Sequence, residues 1–468
     1  MRNGFLALFS IVLVVGLAAC NTRAKHALEQ ARAADTPAAY EQFLRNFPDN
    51  PLTPQAKTRI EELYRKRVLF PAMRDKKAGY IDASGQFVIK PAYDDARMFR
   101  ENAALVRVQE KWGFVDKGGR ALTRPEYKQI EDFSEGLAAV QAGDKWGFID
   151  STGRMAIPPR FDDAWPFSEG LALVKISGKW GFVDHAGKLV IPATYECGFV
   201  AEFARLELSV GPDGKLREVV DLGRDGGLAV KSPVEWLTRE SFGFGSAWMY
   251  PSDATKQGGM YTPDVVVDAF SGGFARLMRN GKWGFIDKTG KTAIEPRYQY
   301  CTRFHDGRAA VHAENGIGFV DTHGQMIIQP AYPAVHTHFA EGLVGVQKNG
   351  QWGFLDPDGQ VKIAFRFADA HAFSGGLAAV KLKGKWGFVD NTGNLAIPAQ
   401  FDDATDFAEG LAAVAKNKKW GYVDKTGAQI VQLQYDSVEP FQDGLAQVRA
   451  GAKSSWVSRA GTVVWTSQ

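Results

Sequence analysis

The 468-residue sequence has little cysteine and almost no net charge. Its three cysteines are too few for a small fold held together by disulfides. Its 56 lysines and arginines nearly balance its 53 aspartates and glutamates, and a formal charge of +3 gives no basic field to attract a phosphate backbone. We therefore predict no nucleic-acid partner.

Motifs for catalysis and metal binding are also missing. The sequence contains no G-x-S-x-G, H-E-x-x-H or C-x-x-C pattern. Five of the eight histidines fall in one stretch, without the spacing of metal ligands: His305, His312, His323, His336 and His338. We therefore predict a protein that is not an enzyme and that has no metal or other cofactor.

The chain begins with a short apolar run. Arg2 precedes residues 5–17, which are too few to cross a bilayer and are typical of the core of a signal peptide. The run ends in Leu-Ala-Ala-Cys20, which resembles the lipobox of bacterial lipoproteins. That resemblance implies a signal peptide over residues 1–19 and acylation of Cys20, with palmitate among the lipids. Asn21 then implies the outer rather than the inner membrane, so we expect a lipid-anchored envelope protein.

Residues 20–67 have the composition of helices and almost no glycine. Thr36-Pro37 and Thr53-Pro54 each place a capping residue before a proline, which predicts two helix starts and three short helices in all. The segment resembles one tetratricopeptide hairpin. Because a single hairpin cannot bury its own apolar face, we expect it to pack on the next domain or on a partner. A helical spacer is the favoured reading, with a binding module as the alternative.

Glycine and tryptophan are abundant, with 50 and 12 residues, and one repeated phrase accounts for most of both. The phrase is clearest as Lys-Trp-Gly147-Phe-Ile-Asp, then Ile157-Pro, then Phe-Ser-Glu-Gly170-Leu. From residue 68 onward the glycine after tryptophan recurs at intervals of 34 or 35 residues, with one gap. We count about eleven units, including a degenerate copy within residues 203–226 and a last unit in which Trp456 fills the tryptophan slot.

This phrase resembles the signature of the WG-repeat (KWG) family over nearly all of residues 68–468. The resemblance implies a repeat-built β protein, often secreted or lipid-anchored in bacteria. It brings no shared set of catalytic residues.

Each unit contains three short β-rich segments separated by glycine-containing turns, which predicts a three-stranded antiparallel meander. Gly147 has no side chain, so a neighbouring strand can lie close to it. Asp150 opens a turn, and we expect it to cap backbone amides rather than bind calcium. The fold class is therefore mainly β, a curved array of tandem repeats, with two propeller-like rings as the alternative.

Residues 227–269 interrupt the array, between a first repeat block at 68–226 and a second at 270–468. Insertions in repeat proteins often lie on the binding face. We predict an aromatic contact surface for a protein or glycan, and the alternative is a loop that packs its aromatics onto the array. Its candidate residues are Trp236, Phe242, Phe244, Trp248, Tyr250 and Tyr261.

The function that these features favour is a lipid-anchored protein with a non-catalytic repeat surface that binds an envelope protein or glycan. The alternative is a hydrolase of envelope polymers that uses loop carboxylates as acid and base. Its candidate carboxylates are Asp162, Asp163, Asp402 and Asp403.

The two cysteines beyond Cys20 are Cys197 and Cys301. In an oxidising compartment they can form a disulfide, and two separately buried thiols are the alternative.

Overall fold

The computed structural model describes residues 22–48, 50–199, 206–210, 216–220, 229–230, 265–336 and 338–467. Three helices come first: α1 at residues 22–34, α2 at Pro37–Asn46 and α3 at Thr53–Lys66. All further elements of the described chain are strands or turns. The prediction of a mainly β protein with a short N-terminal helical segment is confirmed.

The three helices form a small core of their own. Thr36 caps α2 by accepting a hydrogen bond from the Ala39 amide at 3.3 Å. Buried side chains from all three helices pack together: Ala24, Leu28, Ala31, Tyr40, Phe43, Ala56 and Ile60. The helix α1 therefore covers apolar residues of the hairpin formed by α2 and α3, while packing on the next domain or on a partner stays a prediction.

Ten small sheets follow the helices in the described part of the chain. Each contains one antiparallel meander per repeat unit, whose strands we label a to d in chain order. The predicted three strands are b, c and d. The structure adds strand a, which pairs with strand b along the edge opposite to c.

The strands of the ten units have the following bounds. Strands b are Phe70–Arg74, Ala103–Val108, Leu137–Ala142, Leu171–Ile176, Phe274–Arg279, Arg308–Ala313, Val344–Lys348, Leu377–Leu382, Leu411–Lys416 and Leu445–Ala450. Strands c are Lys77–Ile81, Lys111–Asp116, Lys145–Asp150, Lys179–Val183, Lys282–Asp287, Gly316–Asp321, Gln351–Leu355, Lys385–Asp390, Lys419–Asp424 and Lys453–Ser458.

The outer positions are less regular. Strands d are Phe87–Tyr93, Met155–Phe161, Leu189–Tyr195, Thr292–Tyr298, Met326–Tyr332, Val361–Phe367, Leu395–Phe401, Gln429–Tyr435 and Val463–Thr466, and unit 2 has isolated bridges there. Strands a are Asp95–Ala96, Asp163–Ser168, Val265–Asp268, Tyr300–Cys301, Ala334–His336, Asp369–Ala370, Asp403–Ala408 and Ser437–Val438, with bridges in unit 3.

The glycine of strand c lies directly under strand d. A Cβ atom on Gly147 would be 2.5 Å from the Ile157 carbonyl oxygen and 2.8 Å from the Pro159 nitrogen. Strand d shifts register at this point, so its backbone crosses close to the glycine. The close approach expected from the sequence is therefore present.

Trp456 does not occupy the tryptophan slot. Val448 pairs with Ser455 in unit 10, as Val140 pairs with Gly147 in unit 3. Ser455 is therefore the equivalent of the glycine, and Trp456 stands where Phe148 stands. Our placement of Trp456 was wrong by two positions, because sequence similarity alone does not fix the register of a degenerate unit.

Consecutive units pack face to face around a closed ring. The strand c phenylalanine of one unit contacts the phenylalanine before the a–b turn of the next, as in Phe148 and Phe167 at 5.0 Å between ring centroids. Unit 10 also contacts unit 1, through Trp456 of strand c and Phe70 at the start of strand b, at 5.0 Å between ring centroids. The array is thus one propeller-like ring of ten units, and not two rings.

Three further strands lie between units 4 and 5 in the sequence: Leu206–Val210, Leu216–Val220 and Ala229–Val230. They do not form the degenerate unit that we expected. The first pairs with strand a of unit 7, so the three extend that sheet to seven strands. Strand Cys197–Phe199 runs parallel to strand a of unit 5.

Where the ring closes, the side chain of Trp456 replaces one hydrogen bond of the strand a that unit 1 lacks in the described chain. In most units a strand a amide donates to the third carbonyl of strand b, as from His371 to Ala379 at 2.8 Å. The described part of unit 1 contains no strand a. Its equivalent carbonyl, on Pro71, accepts from the indole Nε1 of Trp456 at 3.0 Å. Pro71 also lacks an amide hydrogen, so this edge offers no donor at that position.

Candidate binding surface

The ring has two ends of different chemistry. Because neighbouring strands are antiparallel, all a–b and c–d turns lie at one end and all b–c turns lie at the other. We call the first the glutamate end, after Glu101, Glu135, Glu169, Glu341 and Glu409 of the a–b turns. We call the second the lysine end, after the lysine that begins most strands c.

At the glutamate end, each carboxylate holds the next unit. Glu101 accepts from the amides of Glu135 at 2.7 Å and Gly136 at 2.8 Å. Glu169 binds Gly272 and Gly273 in the same way, so units 4 and 5 are ring neighbours despite the intervening segment. Partial burial alone would raise the pKa of Glu169, but the Gly273 amide and Lys288 lower it. These glutamates stabilise the ring.

The aspartates of the c–d turns cap backbone amides, as predicted. Asp150 Oδ1 accepts from the Thr152 amide at 2.8 Å, from the Thr152 hydroxyl at 2.6 Å and from the Arg154 amide at 3.1 Å. The Thr152 hydrogen bond lowers the pKa of Asp150. Within the described ranges, no three histidine, cysteine, aspartate or glutamate side chains are grouped so that they could hold a metal ion.

At the lysine end, the candidate catalytic carboxylates join neighbouring units. Asp162 accepts from Lys145 at 2.5 Å and from the Gly178 amide of the next unit at 3.1 Å. Asp402 does the same with Lys385 and with the Asn417 amide. The lysine lowers the pKa of each carboxyl, whereas a general acid needs a raised pKa.

The other two candidates cap strand a. Asp163 accepts from the Ala164 amide and Asp403 from the Ala404 amide, both at 2.9 Å. All four carboxylates therefore make the contacts of structural residues. Asp162 and Asp402 lie in different, non-adjacent parts of the ring, so the structure does not bring them together as an acid and base pair.

A buried ionic cluster was missed by the sequence analysis. Asp268 is completely buried and accepts from Arg276 Nε at 2.8 Å and from Arg303 Nη2 at 2.7 Å. Arg276 also donates to the Tyr300 hydroxyl at 2.9 Å and to the Cys301 carbonyl at 3.0 Å. Burial opposes ionisation, but the two guanidinium groups lower the pKa of Asp268.

The cluster fixes strand a of unit 5 to unit 6, at the point where the chain rejoins the ring. The sequence indicates this cluster only by two residues that differ from those at the same positions in other units. Asp268 stands where unit 9 has Thr405, and Arg276 stands where unit 9 has Ala413. The Arg276 slot is uncharged in every other unit, so an arginine there, opposite an aspartate, could have indicated an ion pair.

The side chain of Cys301 is buried, and its sulfur lies 4.0 Å from the Gly284 carbonyl oxygen. Burial raises its pKa to about 12, so it is not a reactive thiolate. The side chain of Cys197 lies outside the described residues, and its disulfide with Cys301 stays a prediction.

The other predicted site residues also lie outside the described residues. They are Cys20 and the six aromatic residues Trp236, Phe242, Phe244, Trp248, Tyr250 and Tyr261. No helix in the described ranges is long and apolar enough to cross a membrane.

The five clustered histidines have separate environments. His312 and His336 are buried in sheets, and His336 stacks on Trp352 at 4.9 Å. Gly345 makes room for it, since a Cβ there would be 2.3 Å from the imidazole. His305 and His338 form a tilted ring pair at 4.7 Å, while His323 is exposed.

The helical segment carries a cleft of about 390 Å³ lined by Leu28, Arg32, Asp35, Tyr40, Gln55 and Arg59. Its two arginines are already engaged. Arg59 binds Asp35 at 2.7 Å and Arg32 donates to Gln55 at 2.9 Å. These contacts join α1 to α3 and agree with the spacer reading.

Ten meanders in a closed ring, linked unit to unit by recurrent carboxylates, define a repeat-built, propeller-like β protein. The chain belongs to the family described as WG containing repeat. The family pattern matches residues 79–112, 112–146, 146–180, 180–196, 283–313, 317–352, 352–386, 386–420 and 420–453.

No curated protein matches the sequence. Among solved structures, a eukaryotic initiation factor is 12% identical with a TM-score of 0.32, covering 71% of this chain and 96% of its own. The extracellular domain of a one component system from B. thetaiotaomicron is 11% identical with a TM-score of 0.26, covering 85% and 70%. The Pan2 WD40 domain of Neurospora crassa is 12% identical with a TM-score of 0.25, covering 41% and 74%.

Proposed function

We propose that this protein is a lipid-anchored envelope protein whose repeat ring is a non-catalytic surface for binding a protein or a glycan. One observation carries the proposal. The recurrent polar residues are engaged in contacts within or between units, as Glu101, Asp150 and Asp162 are, so they maintain the ring. The b–c turns, whose residues differ from unit to unit, are exposed, so a partner can reach them.

Ring closure supports the same proposal. An open repeat array has two end units that need capping, whereas a closed ring holds every turn in a fixed position relative to the others. A surface built from many turns on such a frame is preorganised, and less conformational entropy is lost on binding.

The lipid anchor is tested first. Expression of the full chain in a Gram-negative host with an alkyne analogue of palmitate should label the wild type and place it in the membrane fraction. Cys20→Ser should abolish labelling and release the protein from membranes. Cys197→Ser is the matched control and should keep both properties. Unlabelled wild-type protein, or membrane-bound Cys20→Ser protein, would refute the anchor.

The binding surface is tested by crosslinking in intact envelopes and affinity capture of the full chain. We expect a reproducible set of partners that is reduced when Trp236 and Trp248 are both changed to alanine. Substitution of the exposed Met155 and Leu189 by alanine is the control, since both lie on strands d of the ring. An unchanged partner set in the double tryptophan variant would refute the aromatic contact surface.

A further inference from the structure

The b–c turns at the lysine end are two-residue hairpin turns with left-handed backbone. In every unit except unit 6, one or both turn residues have positive φ, as at Gly143 with 68°, Asn280 with 53° and Asn349 with 52°. Glycine and asparagine are the residues that such turns prefer, because a Cβ and a long side chain are disfavoured there.

Lysine stands at these unfavourable positions in three units. Lys383 in unit 8 has φ 49°, Lys418 in unit 9 has φ 61° and Lys76 in unit 1 has φ 60°. All three are exposed, and no carboxylate of the described residues forms an ion pair with them. The backbone therefore does not explain these lysines, nor does a partner within the described part of the ring.

The three lysines belong to one continuous surface. The ring closes between units 10 and 1, so the turns of units 8, 9, 10 and 1 are neighbours. We call these four turns the lysine arc; they are residues 381–385, 415–419, 449–453 and 73–77. Together they hold eleven lysines and arginines and a single acidic residue, Asp75.

Part of this charge is neutralised by the links between units. Lys385 pairs with Asp402, Lys419 with Asp436 and Lys77 with Asp94. The lysines at the tips of the turns lie beyond these pairs. Asp369 and Asp403 also begin strands a at this end, beside the turns of units 8 and 9. The basic residues of the arc still outnumber these carboxylates, so the arc presents a positive surface although the whole chain is nearly neutral.

The lysine arc faces away from the helical segment. The chain reaches the ring at Phe70, the first residue of strand b in unit 1, and that strand begins at the glutamate end. Burial raises the pKa of Asp82 in the c–d turn, and hydrogen bonds lower it. Arg67 lies close enough to Asp82 to lower this pKa further. The helical segment therefore joins the ring at the end opposite to the arc.

We propose that the lysine arc binds a polyanionic polysaccharide; the inference rests on the proposed function and names the partner class for that surface. Lysine is a hydrated point charge on a flexible stem, which suits repeated diffuse anions better than the bidentate recognition of one group. Protein interfaces are built around buried aromatic and arginine anchors, and the tips of the arc are dominated by lysine instead. Units 8, 9 and 1 have a lysine at the tip of the turn, while the tip of unit 10 is Gly451-Ala452, so the arc offers several separate charges to one long polymer.

The test uses the full chain and dextran sulfate, with uncharged dextran as the blank. The triple variant Lys76→Gly, Lys383→Asn and Lys418→Gly places residues found in sister turns at each position, so it keeps or raises stability. We expect its affinity for dextran sulfate to fall at least about tenfold. The slope of log affinity against log salt should also become shallower by about two, at roughly 0.7 per released contact.

The matched control removes the same charge from the glutamate end. Arg154→Gln, Lys188→Gln and Lys291→Gln are exposed c–d turn positions, where units 6 and 7 carry glutamine. This variant should bind like the wild type. An equal loss in both variants, or wild-type protein that does not bind dextran sulfate at 0.1 M salt, would overturn the proposal.

Two further probes separate the alternatives. Stronger binding to poly-glutamate, or to phosphatidylcholine vesicles containing phosphatidylglycerol, would replace the polysaccharide by an acidic protein or a membrane and refute this inference. Membrane fractionation of the same variants is scored separately. If the protein is not membrane-anchored but the arc binds dextran sulfate, the proposed localisation is refuted and the proposed polysaccharide binding is supported.

Discussion

The glycine of strand c is the residue on which the geometry of each unit depends. Strand d crosses it at backbone contact distance, and the nearest atoms to a Cβ at Gly147 are backbone atoms that cannot rotate away. The glycine of the a–b turn is different. Gly136 has φ 80°, but a Cβ atom added to it would meet no atom within 4 Å, and unit 2 carries Asn102 with φ 73° at the same position.

Gly147→Ala should therefore lower the free energy of unfolding by about 1–3 kcal/mol, the usual cost of overpacking. Gly136→Asn should change it by less than about 0.5 kcal/mol. Urea denaturation followed by tryptophan fluorescence measures both. Equal midpoints for Gly147→Ala and the wild type would show that strand d does not lie where the structure has it.

The carboxylates that link units make stability depend on acid. Glu169 has a lowered pKa in the folded protein, so its contribution is present above its unfolded pKa near 4.5 and is lost as the pH falls through the folded value. Glu169→Gln should cost about 1.5–3 kcal/mol at pH 7, the range for hydrogen bonds to a charged group.

The difference between Glu169→Gln and the wild type should shrink steadily below pH 4.5. Glu110→Gln, an exposed residue in a b–c turn, is the control and should change stability little at any pH. Thermal unfolding from pH 3 to 8 gives the comparison. A difference that persists unchanged at pH 3 would contradict the carboxylate contact.

At the scale of elements, the sequence predicts strands b, c and d because their residues recur. Strand a escaped prediction for a physical reason. In units 2 and 10 it has only two residues, Asp95–Ala96 and Ser437–Val438, and its pairing depends on the following strand b rather than on its own pattern. Trp456 was misplaced for a related reason, since only the pairing of Val448 with Ser455 fixes its slot.

The buried ion cluster belongs to the same scale, because it joins strand a of unit 5 to unit 6. Asp268→Asn would leave Arg276 and the partly exposed Arg303 without their counter-charge. We expect a loss of about 3–5 kcal/mol, as found when one partner of a buried pair is removed.

The double variant Asp268→Thr with Arg276→Ala reproduces the residues of unit 9 and should recover most of that stability. Both are compared with the wild type by urea denaturation. A double variant no more stable than Asp268→Asn would show that the loss comes from packing rather than from unpaired charge.

At the scale of the whole molecule, ring closure could not be predicted. The contact between Trp456 and Pro71 joins residues 385 positions apart, and no local pattern encodes it. The count of ten units, rather than about eleven, has the same origin, because the strands within residues 206–230 join unit 7. The candidate binding surfaces are also whole-ring properties: the lysine arc exists because unit 1 lies beside unit 10.

Trp456→Phe tests the closure directly. Phenylalanine fits this slot in other units, such as Phe148, but it cannot donate to the Pro71 carbonyl. We expect a loss of about 1 kcal/mol, the net value of a hydrogen bond, with faster amide hydrogen exchange confined to units 1 and 10. Trp386→Phe, in the tryptophan slot of unit 8, is the control for loss of an indole. Faster exchange in units 4 to 7 of Trp456→Phe would contradict a local closure.

The missing strand a of unit 1 has a mechanical consequence. A pull on the helices enters the ring at Phe70, on a strand that is paired on one side only within the described chain. The force acts first on the hydrogen bond and the ring contact that Trp456 makes with unit 1. It then acts on the backbone hydrogen bonds between strands b and c of unit 1. Force applied at the N-terminus is therefore transmitted directly to unit 10, at the other end of the chain. The contacts of Trp456 with unit 1 then resist the separation of the two units.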